Sequence, residues 1–175
     1  METFLATVCT SEWNREQDAG RPWADAVEAL AAVHPDQRDL IRAYWERWPE
    51  TLGDAIAPTV ELLAELRAAR VPLFALSNWS AETFPIARPR YPFLEWFDGI
   101  VISGEVGAAK PDPRVYEALL ARHDLDPATL AFVDDVAANV ATARQLGMRG
   151  ILFTGAGALR ADLADLGLLE GGAPT

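Results

Sequence analysis

One cysteine, Cys9, stands in 175 residues, which excludes an internal disulfide framework. It follows no strand-like run and has no neighbouring cation in sequence, so it reads as a buried thiol rather than a nucleophile. Histidine is equally scarce: His34 and His123 lie beside Pro35 and Asp124 in polar surroundings, which fits surface residues better than bases or metal ligands. Basic residues are few, 15 Lys and Arg against 26 Asp and Glu, leaving a formal charge of −11 with no basic run. That balance argues against nucleic acid or an anionic membrane as a partner, and it means that a few local cations must capture any anionic substrate. No apolar stretch approaches the ~20 residues that span a bilayer. Residues 1–6 carry no leader pattern. A cytoplasmic protein is the expectation.

What is present is apolar: half of the residues are hydrophobic, enough for the core of one ordinary domain with a small helical appendage. From residue 71 onward, short apolar runs alternate with helical patterns. The runs 71–76, 99–102, 130–133 and 150–153 read as buried strands, and such alternation predicts an α/β fold with a parallel sheet. Between them, Val60, Leu63 and Leu66, then Val115, Leu119 and Leu120, then Leu159, Leu163 and Leu166 recur at helical spacing and would cover the sheet. Residues 2–52 hold no strand-like run, and their Trp, Ala and Leu pattern around Pro22, Pro35 and Pro49 predicts three or four helices broken at those prolines. The division expected is a helical cap over 1–54 and an α/β core over 55–175, joined through the turn-rich stretch 53–58.

Polar groups sit at the strand ends, where ligands bind in open parallel sheets. Ser77 and Asn78 follow the first run, and a hydroxyl, an amide and free backbone N–H groups there can hold phosphate oxygens; the plainer role is to cap a helix starting near Ser80. Lys110 precedes Pro111, Asp112 and Pro113, where Pro113 suits a helix's first turn. A lysine at such an entrance supplies a point charge to a phosphate and a nearby carboxylate; alone, a Lys-Pro pair is a solvated loop. Asp134 and Asp135 end the third run, and adjacent carboxylates suit a hard cation such as Mg²⁺, although one of them can equally serve as a helix N-cap. Asn139, four residues after Asp135, would share its helical face and reach a metal ligand or water. The segment 12–21, with Trp13, Asn14, Gln17 and Arg21, fits either a polar-substrate surface or a solvated helix end around a buried indole.

Taken together, Leu76-Ser77-Asn78, Lys110-Pro111 and Val133-Asp134-Asp135 with Asn139 resemble, in order, the second, third and fourth motifs of the haloacid dehalogenase-like (HAD) superfamily. The branch with a small helical cap, which contains sugar-phosphate phosphatases such as α-D-glucose-1-phosphatase, is the most similar. The resemblance implies a Rossmann-like core under a helical cap and a Mg²⁺-dependent phosphatase acting on a small phosphorylated metabolite. It also implies site roles: Lys110 and Asp134 catalytic, Ser77, Asn78 and Lys110 on the substrate, Asp135 the principal metal ligand and Asp134 its support. Monomer and homodimer are both compatible with it.

In that family an aspartate at the end of a first strand attacks phosphorus, and a second, two residues later, acts as general acid and base. The sequence shows no such motif: Asp18, Asp25, Asp36 and Asp54 follow no apolar strand. The expectation is therefore a chain lacking the core's first strand and inactive as given, either because translation starts roughly thirty residues upstream or because the short form has lost catalysis. The alternatives are a 2-haloacid dehalogenase-like hydrolase, whose fourth motif is different because attack on carbon needs no metal, and a non-catalytic phospholigand-binding or scaffold protein. Without that strand, a groove should separate the strands ending near Leu76 and Val133.

Overall fold

The computed structural model describes residues 2–170. The first fifty are helical: α1 (Glu2–Thr7), α2 (Ser11–Asp18), α3 (Trp23–Val33) and α4 (Arg38–Glu46), with 3-10 turns at Pro35–Gln37 and Trp48–Thr51. Local chemistry sets the boundaries. Thr10 accepts the Trp13 N–H at 3.1 Å and caps α2. Pro22 and Pro35 stand at the entrances of the elements they precede or open, where the missing N–H costs nothing. The prolines divide this region as expected.

These helices bury Trp13, Trp23, Ala26, Val27, Ala31, Ile41 and Trp48 as one cluster. Trp23 stacks on Trp45 at 4.7 Å and meets Trp13 edge-on at 5.5 Å, a geometry that adds about 0.5–1.5 kcal/mol per pair beyond area burial. The cluster extends into the rest of the chain: Ala87 belongs to it, with Trp79 and Tyr91 packed alongside. Trp48 lies 6.0 Å from Trp79, Glu82 accepts the Trp23 backbone N–H at 2.9 Å, and Tyr91 donates its hydroxyl to the Gly53 carbonyl at 2.6 Å. The helical layer is thus tied down along one side.

The α/β portion runs α5 (Ala57–Ala68), β1 (Phe74–Ser77), α6 (Phe84–Ala87), β2 (Gly99–Ile102), α7 (Ser103–Val106), α8 (Pro113–His123), β3 (Ala131–Asp134), α9 (Ala137–Gln145), β4 (Arg149–Leu152) and α10 (Ala156–Asp165). All four runs form strands: β2 lies where expected, and the other three start one to three residues from the expected positions. No helix starts near Ser80; that residue turns the chain by accepting the Glu82 N–H, and the next helix is the short α6. On α5 the buried residue is Leu62, not the expected Val60, Leu63 or Leu66, which are only partly buried. His123 is not a plain surface residue either, since its ring lies 5.0 Å from that of Phe74.

The strands pair in parallel, β1 with β2 (Phe74 opposite Gly99) and β3 with β4 (Ala131 opposite Arg149). The four do not make one continuous sheet: among the described residues they form two separate two-stranded ladders, and β1 and β3 are not paired with each other. One face is covered by a cluster built on Val115, Tyr116 and Leu119 of α8, which takes in Leu76 of β1, Val101 of β2 and Phe132 of β3 and so holds both ladders. The other face carries Leu62, Ile151, Leu159 and Leu163. The exposed edges show in burial: β1 is half-buried throughout and Val133 is 37% exposed, whereas parallel strands are ordinarily buried on both faces.

Candidate active site

The side chain of Lys110 links the unpaired strands β1 and β3. It leaves the loop before α8, whose start is fixed by Asp112 accepting the Arg114 N–H at 2.9 Å, and its Nζ donates to the Leu76 carbonyl of β1 at 2.8 Å and to Asp134 Oδ2 of β3 at 2.7 Å. The ion pair is largely buried, with side-chain exposures of 11% and 6%. A carboxylate in that setting needs its remaining lone pairs satisfied. Asp134 Oδ1 accepts the Val136 N–H at 2.8 Å and Asn139 Nδ2 at 2.9 Å. Asn139 is in turn fixed through its carbonyl, which accepts the buried Tyr116 hydroxyl at 2.9 Å. Asn139 therefore serves Asp134, the supporting one of the two carboxylates expected at the metal.

Asn78 is spent on the same lysine. Its Oδ1 accepts the Lys110 N–H at 2.7 Å and its Nδ2 donates to the Lys110 carbonyl at 3.0 Å, a closed pair that presents the ammonium at the strand ends. Ser77 ends β1 opposite Ile102 and is half-buried. Asp135 is exposed and makes no side-chain hydrogen bond among the described residues, so its oxygens are open to a cation. No third carboxylate, imidazole or thiol joins Asp134 and Asp135 in a metal-sized group among the described residues. Two adjacent carboxylates nevertheless fit Mg²⁺, which commonly takes one or two from protein and keeps its waters or binds substrate phosphate. Of the five residues singled out, Asn78, Lys110 and Asp134 are joined by hydrogen bonds, while Ser77 and Asp135 make no side-chain hydrogen bond to Lys110 among the described residues.

Above the Lys110 loop, α2 meets the β1 end. A cavity of about 430 Å³ is lined by Leu5, Cys9, Thr10, Ser11, Asn14, Arg15, Asp18, Tyr44 and Asn78. A second, of about 130 Å³, shares Asn14, Asp18 and Asn78 and is lined as well by Trp23, Trp48, Trp79 and Thr83. Burial pushes the Asp18 carboxyl up to about 6, partly offset by the Ser80 N–H and the Arg15 charge. Burial likewise pushes the Cys9 thiol up to about 11, which keeps it protonated and unreactive. Ser103 locks the junction: its hydroxyl donates to the Asp18 carbonyl at 2.5 Å and accepts the Trp79 N–H at 2.9 Å.

Sequence reasoning missed Ser103 and the placement of Asp18. Helical spacing held part of the signal, since Asn14 and Asp18 lie four apart on α2 and share a face. Of the segment's other candidates, Trp13 and Gln17 turn into the helical core and Arg21 pairs with Glu16.

Comparisons with known proteins agree with this arrangement. Residues 7–147 match the family described as "Hydrolase: haloacid dehalogenase-like hydrolase". A sesquiterpene phosphatase of Aspergillus oryzae is 36% identical over 98 residues, covering 56% of this chain and 50% of that protein. A flavin mononucleotide hydrolase of Arabidopsis thaliana is 31% identical over 108 residues, 62% of this chain and 44% of that protein. The chain thus spans about half the length of the curated relatives it matches. In fold it is similar to a HAD-family enzyme of Bacteroides thetaiotaomicron solved with magnesium and inorganic phosphate, at a TM-score of 0.63 and 22% identity over 78% of this chain and 72% of that one. With a motif match across four-fifths of its length, and strand ends bearing the lysine and paired carboxylates those motifs imply, this chain belongs to the haloacid dehalogenase-like hydrolases.

Proposed function

We propose that these residues form the cap and the cation-bearing half of a Mg²⁺-dependent phosphomonoesterase site for a small phosphorylated metabolite, with a sugar phosphate as one candidate. Residues 1–54 act as the cap and 55–175 as the core, in a cytoplasmic protein. The observation that carries the reading is the Lys110 ammonium, held between Leu76 and Asp134 where two strands end. Lys110 receives a phosphate oxygen, with Ser77 and the neighbouring backbone N–H groups as further donors. Asp134 orients the lysine and Asn78 fixes its loop, so both act on the phosphate through Lys110. With Asp134 already engaged by three donors, Asp135 is the carboxylate left for Mg²⁺. Mg²⁺, when bound, would neutralise phosphate charge.

The 175 residues should bind phosphate yet release little from esters, because no third carboxylate stands with Asp134 and Asp135 among the described residues to form a covalent intermediate. That same observation favours a second reading, a phospholigand-binding protein without turnover. Calorimetric titration with inorganic phosphate, with and without Mg²⁺, tests the site. Binding that Mg²⁺ strengthens and Lys110→Ala abolishes is expected; no binding would overturn it. Robust Mg²⁺-dependent phosphate release from glucose 1-phosphate would overturn the expected inactivity.

A further inference from the structure

Tyr116 is wholly buried on α8, at a position where phenylalanine would fill the same space. A buried hydroxyl is costly unless it is hydrogen-bonded, so the partner it takes is informative. It donates to the Asn139 carbonyl at 2.9 Å. Asn139 is the third residue of α9, and the helical pattern already offers that carbonyl the N–H four residues on, so the tyrosine does not rescue an orphan acceptor. What the bond does is hold the first turn of α9 against α8. Burial, and then the Asp134 charge, push the Tyr116 pKa up, so the hydroxyl remains a donor.

The two helices carry the two halves of the ion pair. Lys110 stands in the loop leading into α8, Asp134 ends the strand leading into α9, and Asn139 joins them by donating Nδ2 to Asp134 Oδ1 at 2.9 Å while Asp134 Oδ2 takes the Lys110 Nζ at 2.7 Å. A bond between α8 and the first turn of α9 therefore sets the position of carboxylate relative to cation. The tyrosine ring adds a second support. It lies 5.2 Å from the Phe132 ring, and the Lys110 Nζ lies 5.8 Å from the centre of that same ring, within cation–π range. Phe132 and Asp134 are two apart on β3 and share a face, so the ring and the carboxylate that border the ammonium both rest on Tyr116.

We infer that Tyr116 is a positioning residue of the phosphate site: its hydroxyl, acting through Asn139 on Asp134, fixes where the Lys110 ammonium stands to receive a phosphate oxygen. The inference rests on the phosphatase reading for the role of Lys110 and adds a residue that touches neither phosphate nor metal.

The test is calorimetric titration of the full chain with inorganic phosphate in Mg²⁺, with Tm measured alongside. Tyr116→Phe keeps the ring and its contact with Phe132 and removes only the hydroxyl; it should weaken phosphate binding by about three- to tenfold, the span to which one net hydrogen bond corresponds. A double-mutant cycle with Asn139→Ala separates positioning from support of the fold. The Asn139 carbonyl survives that change, so Tyr116→Phe should still lower Tm in the Asn139→Ala background, but it should alter affinity there by less than about twofold, because the side chain that reaches Asp134 is gone. Met148→Ala is the control: it thins the same cluster just before β4, at the other end of the strands, and should lower Tm with phosphate affinity within about twofold of the parent. If the parent binds phosphate and Tyr116→Phe binds it equally well, or loses the same factor with and without the Asn139 side chain, the inference falls and the phosphate site stands. The inference also falls if Met148→Ala weakens binding as much as Tyr116→Phe does. If the parent binds no phosphate, the phosphatase reading falls and the inference with it.

Discussion

At the scale of single residues, the Lys110 and Asp134 pair shows why an ion pair can be essential without being a source of net stability. Both charges are withdrawn from water, and their attraction together with the Val136 and Asn139 hydrogen bonds offsets that loss. Removing one partner is the costly change. Lys110→Met should leave Asp134 buried beside two donors but no cation, lowering stability by about 3–5 kcal/mol in chemical denaturation; an unchanged midpoint would show that solvent reaches the carboxylate freely. Asp18 makes the opposite case. Its folded-state pKa is raised, so the folded chain holds the proton more tightly than the unfolded chain, and the associated stability is present below about pH 4 and lost as pH rises through about 6. Asp18→Asn should therefore match the parent in unfolding free energy at pH 4 and exceed it at pH 8, by about 1 kcal/mol after allowance for solvent screening at a partly exposed group. A gain at pH 4 that disappears at pH 8 would contradict burial as the cause.

Among elements, the tightest constraint is where α7 passes under the loop after β1. A Cβ on Gly104 would come within 2.5 Å of the Ala81 nitrogen and 2.9 Å of the Trp79 carbonyl oxygen, and the Gly104 N–H donates to that same carbonyl at 3.1 Å. Backbone, not a flexible side chain, meets the added methyl, so the loop carrying Asn78 and Trp79 would have to move. Gly104→Ala should cost about 1–3 kcal/mol by overpacking and lower phosphate affinity along with Tm. If Tm falls while affinity is untouched, α7 supports the fold but does not position Asn78. Ser103, one residue earlier, joins this loop to the end of α2, which makes α7 the element through which cap and strand ends share a geometry.

For the molecule as a whole, the divided sheet is the dominant physical fact. β1 and β3 each present an unpaired edge, and Val133, Val136 and Leu152 add exposed apolar surface nearby. Such edges favour pairing with another chain, while the net charge of −11 opposes it. Repulsion between surface charges is screened as salt rises, so light scattering should show association growing between about 0.02 M and about 0.5 M NaCl. Val133→Lys, which places a charge on the open strand, should suppress it. A clean monomer at every salt concentration would mean that side-chain packing around α8 holds the two ladders close enough to protect both edges.

Much of this was present in the sequence itself. Apolar runs ending in Ser77, Asn78, Asp134 and Asp135 specify parallel strands with polar tips, because an element buried on both faces can place hydrophilic side chains only at its ends. The prolines at 22, 35 and 49 divide the helical region for a similarly local reason, the missing N–H and fixed φ. Tertiary structure decided which partner each group takes. That Asn78 is spent on the Lys110 backbone, that Asn139 serves Asp134, and that the Asp18 carbonyl accepts from Ser103 are pairings across 32, 5 and 85 residues. Local spacing carries no information on the longer of these, and the shortest depends on where α9 begins. The division between Trp13 and Gln17 inside and Asn14 and Asp18 facing the cavities was likewise fixed only when α2 docked on the β1 end, since four polar or aromatic residues on one helix leave its buried face undetermined until something covers it.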